Sequence, residues 1–404
     1  MRTSNLNRLL RHTAPHRFLL LCLPFTASCS EGSGTEPCAG LPTRTVLVYL
    51  AGDNNLEEIG RTPELLRQGW KDTGSKCLIY YDAPQAAPKL FALTIRHSDA
   101  SSVLATVEEY PEENSSSAGV FGRVVADVVR KYPSDSYGLI FASHGSGWLP
   151  CGALSDPTRT IGDDRTPGTT GGAREMEITD FAAAIPDHQF DFIIFEACLM
   201  SGIEVAYELR NKTDYLLASS AELLVPGYAP VYPTAFQYLF DTNLGVPQAL
   251  EKFAGSYFNY IDTRNGAYRS ATQSIVYTRE MDALAILAGK TTGNTHGRWD
   301  DALLGKLQHF DRPGSYGDIP ARPRYFDFGQ YMAYLAPERQ ADLDALLRKT
   351  VVWKAATPEF MAGYNGFTIL THSGLTTYIE QDEFPELNAA YKKTAWWKAT
   401  HVQK

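Results

Sequence analysis

Short apolar runs, rich in β-branched and aromatic side chains and too brief for helices, recur through the first half of the chain. They are Arg44–Ala51, Lys76–Asp82, Leu90–Arg96, Tyr137–Ser143, Phe190–Phe195 and Asp214–Ser219. Near-continuous apolar character of this length predicts strands covered on both faces. Between them the period changes. Leu56–Trp70 carries apolar residues at helical spacing, and Ala118–Tyr132 places Val120, Val124, Val125, Val128 and Val129 on one face. Ile178–Ile185 and Leu199–Arg210 complete the helical segments of this half. Strand and helix alternating at this interval predict an α/β fold with a mainly parallel central sheet and helices on both sides.

The second half reads less regularly. Helices are expected at Val246–Tyr260, Met281–Lys290, Phe326–Leu335, Gln340–Lys354 and Tyr391–Thr400, and strands at Ala271–Thr278, Gly366–Leu370 and Leu375–Ile379. The expected organisation is a core over residues 44–240 and a C-terminal α/β addition over 241–404, packed on that core.

The N-terminus follows another pattern. Arg2, Arg8, Arg11 and Arg17 precede a short apolar stretch, Phe18–Phe25, and then Thr26-Ala27-Ser28-Cys29. A basic segment, a brief apolar core and small residues before a cut describe an export signal over residues 1–29. Cys29 after small residues is placed as the lipidated residue of a bacterial lipoprotein, with residues 30–43 as a polar tether. The expected location is the cell envelope of a Gram-negative bacterium, or otherwise the secreted fraction. Composition is that of a globular protein, with 44% hydrophobic and 21% charged residues among 404. A net charge of −9 without a basic run argues against nucleic acid as a partner. Cys38 and Cys77 flank the first strands, which leaves open either a disulfide between them or a buried thiol at Cys77.

Two strand ends carry candidate chemistry. The run ending at Ser143 is followed by His144-Gly145-Ser146-Gly147, and the run ending at Phe195 by Glu196-Ala197-Cys198. In open parallel sheets ligands bind beyond the carboxyl ends of the strands. There Cys198 can serve as nucleophile, His144 can manage the proton, and the backbone N–H groups of Gly145 and Cys198 can hold an oxyanion.

These residues resemble the clostripain family of cysteine peptidases. The likeness is carried by Tyr49-Leu-Ala-Gly-Asp53-Asn54-Asn55-Leu56-Glu57, by Ser143-His144-Gly145-Ser146-Gly147-Trp148 and by the segment from Glu196 to Val205. It spans about residues 44–230, and Leu375–Ile379 and Ala390–Lys398 look like C-terminal parts of exported relatives. The resemblance implies a caspase-like αβα sandwich, a His144–Cys198 dyad, no required cofactor, and cleavage of protein or peptide substrates after Arg or Lys. The family commonly has Asp two residues before the nucleophile, lining the pocket for the basic side chain. Glu196 stands there, one methylene longer, and Glu222 is a second pocket candidate. Some members cut themselves between the dyad residues, where Arg159, Arg165 and Arg174 are available, and some depend on calcium, for which Asp163-Asp164 is the local candidate. Two other readings stand beside the peptidase: a thiol amidase or transpeptidase acting on a non-protein amide, and a surface lipoprotein that binds without catalysis.

Overall fold

In a computed structural model of the chain, residues 43–154, 161–165, 175–292, 301–315 and 321–401 are described. They are built on one sheet of nine strands. The first half contributes β1 (Arg44–Ala51), β2 (Lys76–Asp82), β3 (Lys89–Ile95), β4 (Ser102–Glu109), β5 (Ser136–Ala142), β6 (Phe190–Glu196) and β7 (Thr213–Ala218). β8 (Thr272–Tyr277) follows, then a two-residue β9 (Phe326–Asp327) outside the sheet, and β10 (Val351–Ala356). The order across the sheet is β10-β8-β7-β6-β5-β1-β2-β3-β4. The central strands β2, β1, β5, β6 and β7 are parallel, and antiparallel pairs close both edges.

The apolar strands divide their side chains between two cores, as a period of two requires. Along β1, Leu47, Tyr49 and Ala51 enter one core, and Val46, Val48 and Leu50 the other. On the first face lie α2 (Ala118–Lys131), α3 (Ile178–Ala183) and α4 (Ile203–Glu208), together with later helices. On the second lie α1 (Thr62–Gly69), the single turn α5 (Tyr232–Ala235) and α6 (Val246–Asp262). The result is an αβα sandwich of the caspase-like kind. Aromatic packing ties its centre: the Tyr49 ring stacks 4.4 Å from Tyr80 and 5.4 Å from Phe141, with Phe121 edge-on at 5.2 Å.

Several expectations change against this frame. β4 has little apolar alternation because it is a half-buried edge strand, and the sequence pattern did not predict it. The helix expected over Leu199–Arg210 begins only at Ile203, because Leu199 takes a left-handed φ of +61° and Gly202 bridges to Thr376. The helix expected over Gln340–Lys354 stops at Thr350, where Val351-Val352-Trp353 turns into β10. Residues 241–404 continue the sheet of residues 44–240 through β8 and β10, with no break between them. Cys77 is a free, fully buried thiol in the second core. Cys29 and Cys38 lie outside the described residues.

Four enclosed carboxyls have raised pKa values, Asp327 among them, and three of these reach about 7 or 8. Burial lifts Asp82 to about 8, with Asp164 nearby adding to the effect. Burial also lifts Glu204 to about 7, although it accepts hydrogen bonds from the Thr377 hydroxyl and the Tyr378 N–H, both at 3.0 Å. Glu196, discussed below, rises to about 7. Each stays protonated in the folded chain where the unfolded chain has already lost its proton. Their contribution is therefore fully present below the unfolded carboxyl range and is lost as pH rises through the folded values. The melting temperature should fall between about pH 5 and 8, and Glu204→Gln, which mimics the protonated acid, should make that slope shallower. Identical slopes for the variant and the parent would show that Glu204 is not protonated in the fold.

Candidate active site

Register decides where the candidate residues stand. β5 and β6 run parallel and in step from Gly138↔Phe192 to Ala142↔Glu196. His144 and Cys198 each follow two residues after that last pair, so both emerge at the same rim. The Ser143 N–H still reaches the Glu196 carbonyl at 3.4 Å. Beyond it the chains close further: a Cβ on Gly145 would stand 2.7 Å from the Cys198 carbonyl oxygen and 2.9 Å from the Ala197 Cβ. Only glycine permits that approach. The dyad residues expected from the sequence are thus brought together, with His144 4% exposed and Cys198 partly open to solvent.

Each strand end is held from behind. The Gly162 N–H donates to the His144 carbonyl at 3.0 Å, and Ile161 exchanges hydrogen bonds with Met176. The Tyr325 hydroxyl donates to the Ser146 carbonyl at 2.6 Å. On the other strand end, the Leu199 N–H donates to Ala221 and the Ser201 N–H to Ser219, both at 3.0 Å, while the Thr376 N–H donates to the Ser201 carbonyl at 2.9 Å. The Cys198 sulfur lies 3.8 Å from the Leu223 carbonyl. The left-handed backbone of Leu199, with a buried side chain, costs conformational energy that this lattice of bonds offsets.

The imidazole has a partner that sequence reasoning did not assign. His144 Nε2 lies 2.7 Å from Asn55 Oδ1. Asn55 ends the turn after β1, and β1 and β5 are the neighbouring strands where the order of the sheet reverses. That position is where open α/β sheets form their crevice. The polar Asn54-Asn55 pair directly after a buried strand was the available signal, but spacing alone gave it only a turn.

The two pocket candidates fare differently. One Glu196 carboxylate oxygen accepts from the Tyr228 N–H at 2.7 Å and the other from the Tyr232 hydroxyl. Gly227, at φ +60°, sits so close that a Cβ there would be 2.4 Å from Glu196 Oε1. The residue keeps some exposed surface, but this enclosure lifts its carboxyl to about 7, with desolvation outweighing both hydrogen bonds. Glu222 is held within the chain itself: Arg312 grips it through Nε at 2.7 Å and Nη2 at 3.0 Å. A guanidinium of the chain itself already neutralises that carboxylate, a partner 90 residues away that no local pattern could reveal.

Arg165 donates its N–H to the Asp53 carbonyl at 2.8 Å and its Nε to Asp163 at 3.2 Å, whereas Arg159 and Arg174 lie outside the described residues. Asp163 and Asp164 diverge, the latter accepting from the Ser115 hydroxyl at 2.9 Å. Among the described residues no three His, Cys, Asp or Glu side chains converge as they would around a metal ion.

Comparison with known proteins gives a consistent picture. The clostripain family model matches residues 48–287. Clostripain of Hathewaya histolytica is 26% identical over 290 residues, covering 64% of this chain, and the chain spans about half (52%) of that relative's length. An inactive zymogen C11 protease from Parabacteroides distasonis aligns with a TM-score of 0.72 and 29% identity, covering 89% of this chain and 98% of its own. A secreted C11 cysteine protease from Bacteroides thetaiotaomicron, solved with an irreversible peptide inhibitor, aligns with a TM-score of 0.74 and 26% identity over 89% and 99%.

Replacing Arg312 with Ala should leave Glu222 buried and unpaired, and cost about 3 kcal/mol of unfolding free energy in chemical denaturation. The double variant Glu222→Gln/Arg312→Met should recover most of it. A loss below about 0.5 kcal/mol in the single variant would mean that water reaches the pair.

Proposed function

The chain belongs to the clostripain family, and we propose that it is a cysteine endopeptidase in which His144 and Cys198 form the dyad. The observation that carries this reading is the in-step ending of β5 and β6, which delivers an imidazole and a thiol to one rim. The Cys198 thiolate attacks the scissile carbonyl carbon, forming a C–S bond while the carbonyl π electrons move onto oxygen. The N–H groups of Gly145 and Cys198 stabilise that oxyanion. Collapse breaks the C–N bond, and the leaving amine takes its proton from the His144 imidazolium. Water, giving a proton to His144, then attacks the thioester and releases the acid and the thiol. No step needs a metal or cofactor.

Glu196 supplies the preference for Arg or Lys before the cut. Its carboxyl sits two residues before the nucleophile in an enclosed setting, where a paired guanidinium gains most from a carboxylate. Self-cleavage between the dyad residues, at Arg159, Arg165 or Arg174, belongs to the same proposal; the solved zymogen relative supports a processed form. Export with lipid attachment at Cys29 completes it. The secreted relative is consistent with export, and no helix among the described residues is long and apolar enough to cross a membrane.

Cys198→Ala and His144→Ala should each lower cleavage of Arg-containing peptides by about 10²-fold or more, followed by product analysis. Full activity in either would remove the dyad. Glu196→Gln should cost Arg substrates about 10- to 100-fold, the worth of a charged hydrogen bond, and leave apolar substrates nearly unchanged. Because the Glu196 carboxyl ionises only near pH 7, the kcat/KM ratio of an Arg substrate to its uncharged citrulline analogue should rise as pH passes through about 7. A flat ratio would take Glu196 out of substrate recognition.

A further inference from the structure

Asn55 touches the imidazole, and the residues on either side of it in the turn are fixed by hydrogen bonds. The Gly52 N–H donates to the Asp82 carbonyl at 3.1 Å, and the Asn54 N–H to the Gly52 carbonyl at 2.8 Å. The Asn54 side chain is the hub. Its Nδ2 donates to the Ala51 carbonyl at 2.7 Å and the Asp163 carbonyl at 3.0 Å, while its Oδ1 accepts from the Leu56 N–H at 2.8 Å. Arg165 adds an N–H to the Asp53 carbonyl at 2.8 Å. The turn is therefore bonded to β1, to β2 and to the segment that crosses behind His144. A Cβ on Gly52 would stand 2.9 Å from the Asp82 carbonyl oxygen, so only glycine lets the turn lie this close to β2.

From this fixed base the Asn55 Oδ1 reaches His144 Nε2 at 2.7 Å. An amide oxygen can only accept, so the contact requires a proton on Nε2. We infer that Asn55 is a positioning residue for the dyad: it holds the Nε2–H tautomer and the ring angle of His144, and thereby assigns Nδ1 to the thiol of Cys198. A neutral acceptor does this without a fixed negative charge beside the ring, which would bias the imidazole towards its charged form. Asn54 and Asn55 then divide the labour, the first shaping the turn and the second steering the base. This inference rests on the dyad reading above and adds a third residue to it.

The test is the pH dependence of Cys198 alkylation by iodoacetamide, read on the Cys198 peptide by mass spectrometry, together with kcat and KM on an Arg peptide. His144→Ala identifies which step of the alkylation profile belongs to the imidazole. Asn55→Leu removes the acceptor at similar volume, and Asn55→Asp keeps an acceptor but adds charge; thermal unfolding checks that both are folded. The expected results are a loss of kcat by about tenfold in Asn55→Leu, equivalent to about 1.4 kcal/mol, with KM nearly unchanged. Asn55→Asp should retain most of kcat and move the His144-dependent step upward by about one pH unit. A His144-dependent step that stays in place in Asn55→Asp would overturn the role of Asn55 while leaving the dyad intact. Absence of any such step in the parent protein would overturn the dyad reading, and this inference with it.

Discussion

The in-step pairing of β5 with β6 is the constraint on which the rest of the structure depends. Parallel strands advance about 3.3 Å per residue, so a slip of one residue would both draw His144 away from Cys198 and turn one strand inside out. Register here is secured by burial on both faces, since Phe192 and Ile194 belong to one core while Ile193 and Phe195 belong to the other. Neither core tolerates the exchange. The chemistry therefore inherits its precision from hydrophobic packing well below the site, and the polar network at the rim refines a geometry that is already set.

The second half of the chain serves that geometry more than it forms a separate body. Tyr325 and Thr376 bind the backbone of the two strand-end loops, and Trp148 packs against the rings of Tyr378 and Tyr391 at 5.2 and 5.1 Å. The Glu204 carboxyl accepts from Thr377 and Tyr378, joining the helix after Cys198 to the same C-terminal segment. Arg312 reaches the segment after β7 through Glu222. Loops that carry reactive groups are held on both sides, which suits a site whose polar groups must be aimed before substrate arrives.

Much of this was legible in the sequence where the signal is local. Buried strands announce themselves as apolar runs, so β1, β2, β5, β6, β7 and β8 were read close to their ends, and the rim shared by His144 and Cys198 followed from their positions after two such runs. The edge strand β4 carried no such signal because one side of it faces water. The ends of helices at Leu199 and Thr350 were misread because tertiary bonds, not propensity, decide them: the left-handed Leu199 is compensated by partners near residues 219–221. The partners of charged groups were least legible. Nothing near Glu222 in the sequence points to Arg312, and nothing near Glu196 points to Tyr228 and Tyr232 as its enclosure.

The placement of β8 and β10 has a consequence for how much of the chain a working molecule needs. The family-matched stretch ends at residue 287, after β8 but before β10. A polypeptide stopped there would leave β8 with a bare row of N–H and C=O groups, open to pairing with another molecule. The final hundred-odd residues thus act as a hem: they replace that bare row with β10, a six-residue edge strand whose register is broken between Val351 and Trp353 and which carries Lys354, features that discourage pairing with a neighbour.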